Sequence, residues 1–300
     1  MKNVTLFIGN DINNLTPGTS WKDLLDQIIA YYGLTNSVAQ HNLKPFPLLY
    51  EEIFLKVIRR NPMAEKVVKE YIASRISEII PNGIHQRIRG LQVEDIITTN
   101  YDYTLEGSSD LKNEGIITER LYSVFRKTIV KTTNFWHIHG EAGVPMSINL
   151  GYEHYGGQLQ QIRNYVVSGT NYESKKVHKQ PLIRRIARNG ISSLNFQSWI
   201  DLFFVKDIHI FGIRLDFIEI DLWWLLTYRA RQKLYKGNIE ISNSIYYYTP
   251  EVYLTDASFK IQLLEANDVN VIALPMSSKE EYYNLIIDRI SEARRQSENN

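Results

Sequence analysis

Four short apolar runs in this chain stop in the same way. Val4–Ile8 halts at Gly9-Asn10-Asp11-Ile12-Asn13, and Asp95–Thr99 halts at Asn100-Tyr101-Asp102. Asn134–Ile138 halts at His139-Gly140, and Asp207–Phe211 halts at Gly212-Ile213-Arg214-Leu215-Asp216. Runs this short, rich in β-branched and aliphatic residues and closed by turn formers, read as buried strands. Between them lie stretches with apolar residues at helical spacing. Strands alternating with helices predict an α/β fold: a Rossmann-like, three-layer parallel sheet. In such sheets the ligand crevice lies beyond the carboxyl ends of the strands, and helix N-termini there favour phosphate. Four polar strand ends would converge on one crevice, which points to a nucleotide-like ligand.

The remaining elements follow from periodicity and punctuation. Thr19 or Ser20 caps a helix that stops at Gly33. Pro47–Arg60 and Pro62–Ile80 carry helical patterns, each closed by a following proline, and Ile84–Leu91 reads as a short helix. Residues 45–92 are therefore expected to form a small helical cap inserted in one domain spanning residues 1–300. Ser108–Lys131 has no readable period, and Val144–Asn149 has the pattern of a short strand. Residues 151–195 form a polar insertion with short helices and an expected mobile loop near 168–180. Ser244–Tyr248 and Val269–Leu274 read as the last strands, with helices at Phe217–Leu234, Asp256–Ala266 and Lys279–Arg295 and a frayed tail.

Composition removes several function classes. The 300 residues hold no cysteine, which excludes disulfides, thiolate zinc sites, iron–sulfur clusters and cysteine nucleophiles. The formal net charge of +1 gives no overall pull toward nucleic acid or an acidic membrane. No apolar run approaches the ~20 residues needed to span a bilayer, and the first run is too short for a signal-peptide core. The expected location is the cytoplasm, without membrane or direct nucleic-acid partners. The basic stretches Lys175–Lys179 and Arg184–Arg188 read as solvated faces.

Each strand end also has a plainer reading. Gly9 serves any turn, Asn100 could cap a helix starting at Tyr101, and Asp102 could complement that helix's dipole. His137 and His139 sit two apart, so on a strand they share a face and could hold a metal. No third ligand pattern accompanies them, and no metal is expected. Asp216, Glu219 and Asp221 open a helix, where acidic residues ordinarily complement the dipole. The same helix carries Trp223, Trp224, Leu225 and Leu226 almost all round, so it is either buried or set against another chain.

Taken in order, "TLFIGNDIN", "DIITTNYDYTLE", "WHIHGE" and "IFGIRLDFIEIDLWWLL" resemble the sirtuin-like proteins of bacteria. The resemblance runs from residue 4 to about 226 and implies an NAD-binding fold. It implies that Asn100 contacts the nicotinamide ribose, that Asp102 lies near the nicotinamide amide and that His139 is the general base. It also assigns Gly9 to the pyrophosphate turn and Gly212 to the adenosine side. Asn10, Asp11, Asn13, Thr99, Arg214 and Asp216 complete the expected NAD-binding set. Deacylases of this family carry a four-cysteine zinc module, which this chain lacks. It is closer to the zinc-less bacterial relatives that include NAD-hydrolysing anti-phage proteins.

The chemistry suits these residues. The nicotinamide of NAD departs from a pyridinium and needs no general acid, so one base suffices where ordinary glycosidases use two carboxylates. An asparagine can hold a ribose hydroxyl or the attacking water, and a histidine can accept a proton near pH 7. The leading expectation is an NAD glycohydrolase, with NAD as substrate and no zinc, acting as an antiviral defence effector. It would be restrained by self-association or by a partner sensor. The alternatives are a non-catalytic sensor of NAD or ADP-ribose, an NAD-dependent deacylase or ADP-ribosyltransferase, and an interaction protein using "LWWLL".

Overall fold

A computed structural model describes residues 4–39, 43–60, 62, 65–108, 111–235 and 239–298. The chain forms one seven-stranded sheet. Its strands are β1 (Val4–Ile8), β2 (Asp95–Thr98), β3 (Thr128–Val130), β4 (Thr133–His137), β5 (Asp207–Phe211), β6 (Ile245–Pro250) and β7 (Val269–Leu274). They lie in the order β3-β4-β2-β1-β5-β6-β7. Every pairing is parallel except that of β3 with β4. Without that short antiparallel edge, the parallel strands follow the doubly wound order, whose connections reverse direction between β1 and β5.

Alternation along each strand feeds two cores. Phe7, Ile97, Trp136, Ile208, Ile210 and Tyr247 face one layer, while Leu6, Ile8, Ile96, Phe135, Phe211 and Tyr248 face the other. Both sets are buried, as a parallel sheet covered on two faces requires. The first layer holds α5 (Tyr152–Arg163), α6 (Leu182–Asn189), α7 (Trp199–Val205) and α8 (Ile220–Leu234), with Leu264 of α9 (Ser258–Ala266). The second holds α4 (Gly83–Gly90) and α10 (Lys279–Glu298).

The helical cap is built from α1 (Trp21–Tyr31), α2 (Phe46–Arg60) and α3 (Glu65–Ile76). Their apolar faces close on Tyr101, Ala142, Ile148 and Leu150, residues that follow the ends of β2 and β4. The cap thus sits over strand carboxyl ends. Helix α4, expected within it, packs instead beneath the sheet beside α10. Lys69 of α3 is fully buried and approaches His154 Nε2 of α5 at 3.1 Å, joining cap to body.

Several local expectations are corrected. Val144–Asn149 is not a strand: Pro145–Ser147 is a 3-10 turn, held by Ser147 Oγ donating 2.6 Å to Val144 O. Pro145 lacks the N–H that a central strand needs. No helix starts at Tyr101, because Asp102 Oδ1 turns back to accept from Thr104 N at 3.0 Å. Helix α8 starts at Ile220 rather than Phe217, and the tail expected to fray is helical through Glu298. Asn299 and Asn300, like parts of the stretch before α3, lie outside the described residues. The loop near 168–180 is irregular, with Thr170 N donating 3.1 Å to Lys179 O and Tyr172 donating 2.6 Å to Glu119. Among the described residues, no helix is long and apolar enough to cross a membrane.

Candidate functional site

The crevice forms where the sheet order predicts it. The ends of β1 and β5 are fastened to one another: Gly9 N donates to Phe211 O at 3.0 Å, and Asp11 N donates to Gly212 O at 2.9 Å. A side chain at Gly9 would place its Cβ 2.5 Å from Gly212 O and 2.5 Å from Ile213 Cβ. Glycine is therefore dictated here by close approach of two backbones. Gly212 takes a φ of +69°, in the left-handed region that favours glycine. The chain then enters a 3-10 helix, Asn10–Leu15, so no full α-helix opens at this strand end.

A cavity of about 330 Å³ opens above this junction. Of the residues predicted from the sequence, Asn10, Asp11, Thr99 and His139 line it, together with Gly212, Arg214 and Asp216. Trp21 and Phe46 of the cap and Tyr155 of α5 complete its aromatic walls. A second cavity of about 410 Å³ shares Asp11, Gly212, Arg214 and Asp216 and continues over β6 toward Tyr247, Tyr253 and Phe259. Each is within the usual size range for ligand pockets, and together they make a two-lobed cleft.

Gly9, Asn13, Asn100 and Asp102 do not line the main cavity. Asn13 and Asp102 brace it from behind. Asn13 Nδ2 donates 2.8 Å to Asn10 Oδ1 and 2.8 Å to Asp102 Oδ2, tying the β1 end to the β2 end. Its Oδ1 accepts from His85 Nε2 at 2.9 Å. The His85 Nδ1 accepts from Asn82 N, so Nε2 carries the proton, and burial pushes this imidazole down to about 4. Asp102 also borders a small adjoining cavity of about 40 Å³ with Trp21 and Tyr101.

Asn100 is 1% exposed, and both its amide atoms, Nδ2 and Oδ1, are buried without a hydrogen-bond partner. Its backbone is firmly held. Asn100 N donates to Thr98 Oγ1 at 3.0 Å, and its carbonyl accepts from His137 Nδ1 at 2.6 Å. His137 Nε2 reaches Glu106 Oε1 at 2.6 Å. Burial alone would lower this imidazole, but the Glu106 carboxylate outweighs it and raises His137 to about 9. His137 is therefore a buried clamp on the β2 end, and it shares no ligand position with His139. Among the described residues, no group of three or more His, Asp or Glu side chains is disposed to hold a metal.

His139 lies just past β4, before Gly140 at a φ of +103°. It is 2% exposed, and its ring meets the Tyr155 ring edge-on at 5.2 Å. Its Nε2 is 2.9 Å from Oδ2 of Asp221, in the first turn of α8. The sequence assigned Asp221 to the helix dipole, and nothing over a separation of 82 positions signals this contact. Glu219 lines the cavity nearby, and burial followed by the Asp221 and Asp216 charges pushes its carboxyl up to about 8.

Asp11 places a carboxylate at the cavity wall, but its charge is engaged from behind. It accepts from Lys279 Nζ at 2.8 Å and Tyr283 Oη at 2.6 Å, both on α10. Burial alone would raise the Asp11 carboxyl, but these two partners hold it below its ordinary value.

Comparison with known proteins adds one positive finding. The family described as "SIR2-like domain" matches residues 94–189, from the residue before β2 through α6. The matched stretch contains Thr99, Asn100, Asp102 and His139, whereas the Gly9 turn and the Gly212 segment lie outside it. No curated protein matches the chain. This stretch, which carries two of the four strand ends of a doubly wound sheet, is therefore similar to sirtuin-like domains, and that similarity suggests an NAD-related function.

Proposed function

We propose that the chain is an NAD glycohydrolase that releases nicotinamide from NAD. The observation that carries this reading is the unpartnered Asn100 amide, which follows Thr99 of the cavity wall just past the end of β2, beside the strand that delivers His139. A buried amide without partners costs about 1–3 kcal/mol, so the site holds in reserve a donor and an acceptor for a ligand. The main cavity would take the ribose and pyrophosphate, and the aromatic second lobe would take the adenosine. Asp102, at the small adjoining cavity, would face the carboxamide.

The chain's own groups have defined tasks in this reaction. Asn100 fixes a ribose hydroxyl or the water. His139 accepts the proton as that oxygen becomes nucleophilic. The cap aromatics exclude bulk water from an oxocarbenium-like sugar. General-base help is worth ~10²–10⁴-fold, so positioning supplies most of the acceleration. The resemblance to NAD-hydrolysing bacterial relatives extends the proposal to a defence effector restrained by self-association or by a partner.

The test is purified protein incubated with NAD, with nicotinamide followed by chromatography. Release by the wild type and its loss in His139→Ala support the reading; release undiminished in His139→Ala refutes it. A second reading, a sensor that binds without cleaving, is favoured by the position of Asn100 behind the open wall. NAD binding with no nicotinamide release would select it.

A further inference from the structure

We infer that Asp221 is a positioning residue that sets the tautomer of His139, leaving Nδ1 as the atom that takes the proton. This rests on the hydrolase reading for its catalytic meaning, though not for its geometry. A carboxylate oxygen can only accept, so the hydrogen shared across the 2.9 Å contact sits on Nε2 of the neutral imidazole. The lone pair is then on Nδ1. Because His139 is 2% exposed and Asp221 is fully buried, water does not compete for either partner.

The alternative, a carboxylate serving only the helix dipole, is disfavoured by its bonding. Such a residue ordinarily faces solvent or accepts from a first-turn N–H. Asp221 Oδ2 instead faces the His139 ring, and Oδ1 has no hydrogen-bond partner. A carboxylate that gives up water for one imidazole contact is costly to keep unless that contact is used. The placement is also rigid. Leu222, Leu225 and Leu226 anchor α8 in the core, while Tyr155 bounds the ring and Asn149 N holds the His139 carbonyl at 2.8 Å. The ring is thus set from both sides and along its backbone.

The experiment combines nitrogen NMR of histidine-labelled protein with kinetics of Asp221→Asn. His139 is assigned by comparison with His139→Gln. In the wild type, recorded above the imidazole titration, His139 is expected to be protonated at Nε2. In Asp221→Asn, whose amide can donate as well as accept, the tautomers should mix. With NAD, kcat for nicotinamide release should then fall ~10²-fold or more, while KM changes less than about threefold. A purely structural role would shift Tm or KM and leave the tautomer alone. His139 protonated at Nδ1 in the wild type, or an unchanged kcat in Asp221→Asn, overturns the inference. If the wild type releases no nicotinamide, the hydrolase reading falls, while the wild-type spectrum still decides whether Asp221 sets the tautomer.

Discussion

Asn100 offers an unusual perturbation, because removing its side chain should stabilise the protein while disabling it. Both amide atoms are buried and unpartnered, and the backbone bonds at this position do not involve the side chain. Replacement by leucine keeps nearly the same shape and removes a desolvation cost of about 1–3 kcal/mol. Alanine recovers less, since a void of about 30 Å³ at ~24 cal/mol per Å³ returns about 0.7 kcal/mol of it. Unfolding entropy of ~2.1 cal/mol/K per residue over 300 residues converts the leucine gain into a Tm rise of about 2–5 °C. Thermal unfolding without ligand, monitored by calorimetry, measures it directly. In parallel, nicotinamide release from NAD should fall at least ~10²-fold in Asn100→Leu. A Tm lowered by several degrees would show that the amide is bonded in the folded protein, and the argument for a waiting ligand contact would collapse.

Two further outcomes can be checked independently. Gly9→Ala must push a methyl into Gly212 O and Ile213, both anchored in backbone, and should cost about 1–3 kcal/mol or more with loss of NAD binding; an unchanged urea midpoint would contradict this. Glu219 holds its proton to about 8 in the folded chain against an ordinary 4.5, so the folded form binds more protons across that interval and stability should decline as pH rises through it. Glu219→Gln should flatten that decline, and a pH–Tm curve identical to wild type would show that burial and the Asp221 charge do not act on Glu219 as described.

The sheet was legible because its signal is local. Val4–Ile8, Asp207–Phe211 and Val269–Leu274 have the bounds that their apolar runs indicate, and the strand–helix alternation carries the parallel order. The antiparallel β3 was not legible, since three residues inside Ser108–Lys131 are too few to show a period. Val144–Asn149 misled because alternation there reflects a turn folded onto its own serine. The strand-end residues announced themselves by polarity after an apolar run, and seven of them meet at the cavity. What polarity could not reveal was depth. Asn100 and Asp102 look equivalent to Thr99 in the string, yet one is buried just behind the cavity lining with its amide unpartnered and the other is spent on Asn13 and Thr104. Asp221 was hidden for a different reason: an acid in a first helical turn has an ordinary explanation, and only the meeting of α8 with the β4 end gives it another.

Lys279 and Tyr283 belong to the final helix, yet they grip Asp11 at the end of the opening strand. The charge of Asp11 at the cleft wall is therefore balanced by a residue 268 positions away in the sequence. Anything that levers that helix away, whether a truncation, a fused tag or a bound protein, would bare a negative charge where the pyrophosphate of the proposed NAD substrate would settle. Ligand affinity could in that way be throttled from outside the cleft, with no residue inside it altered.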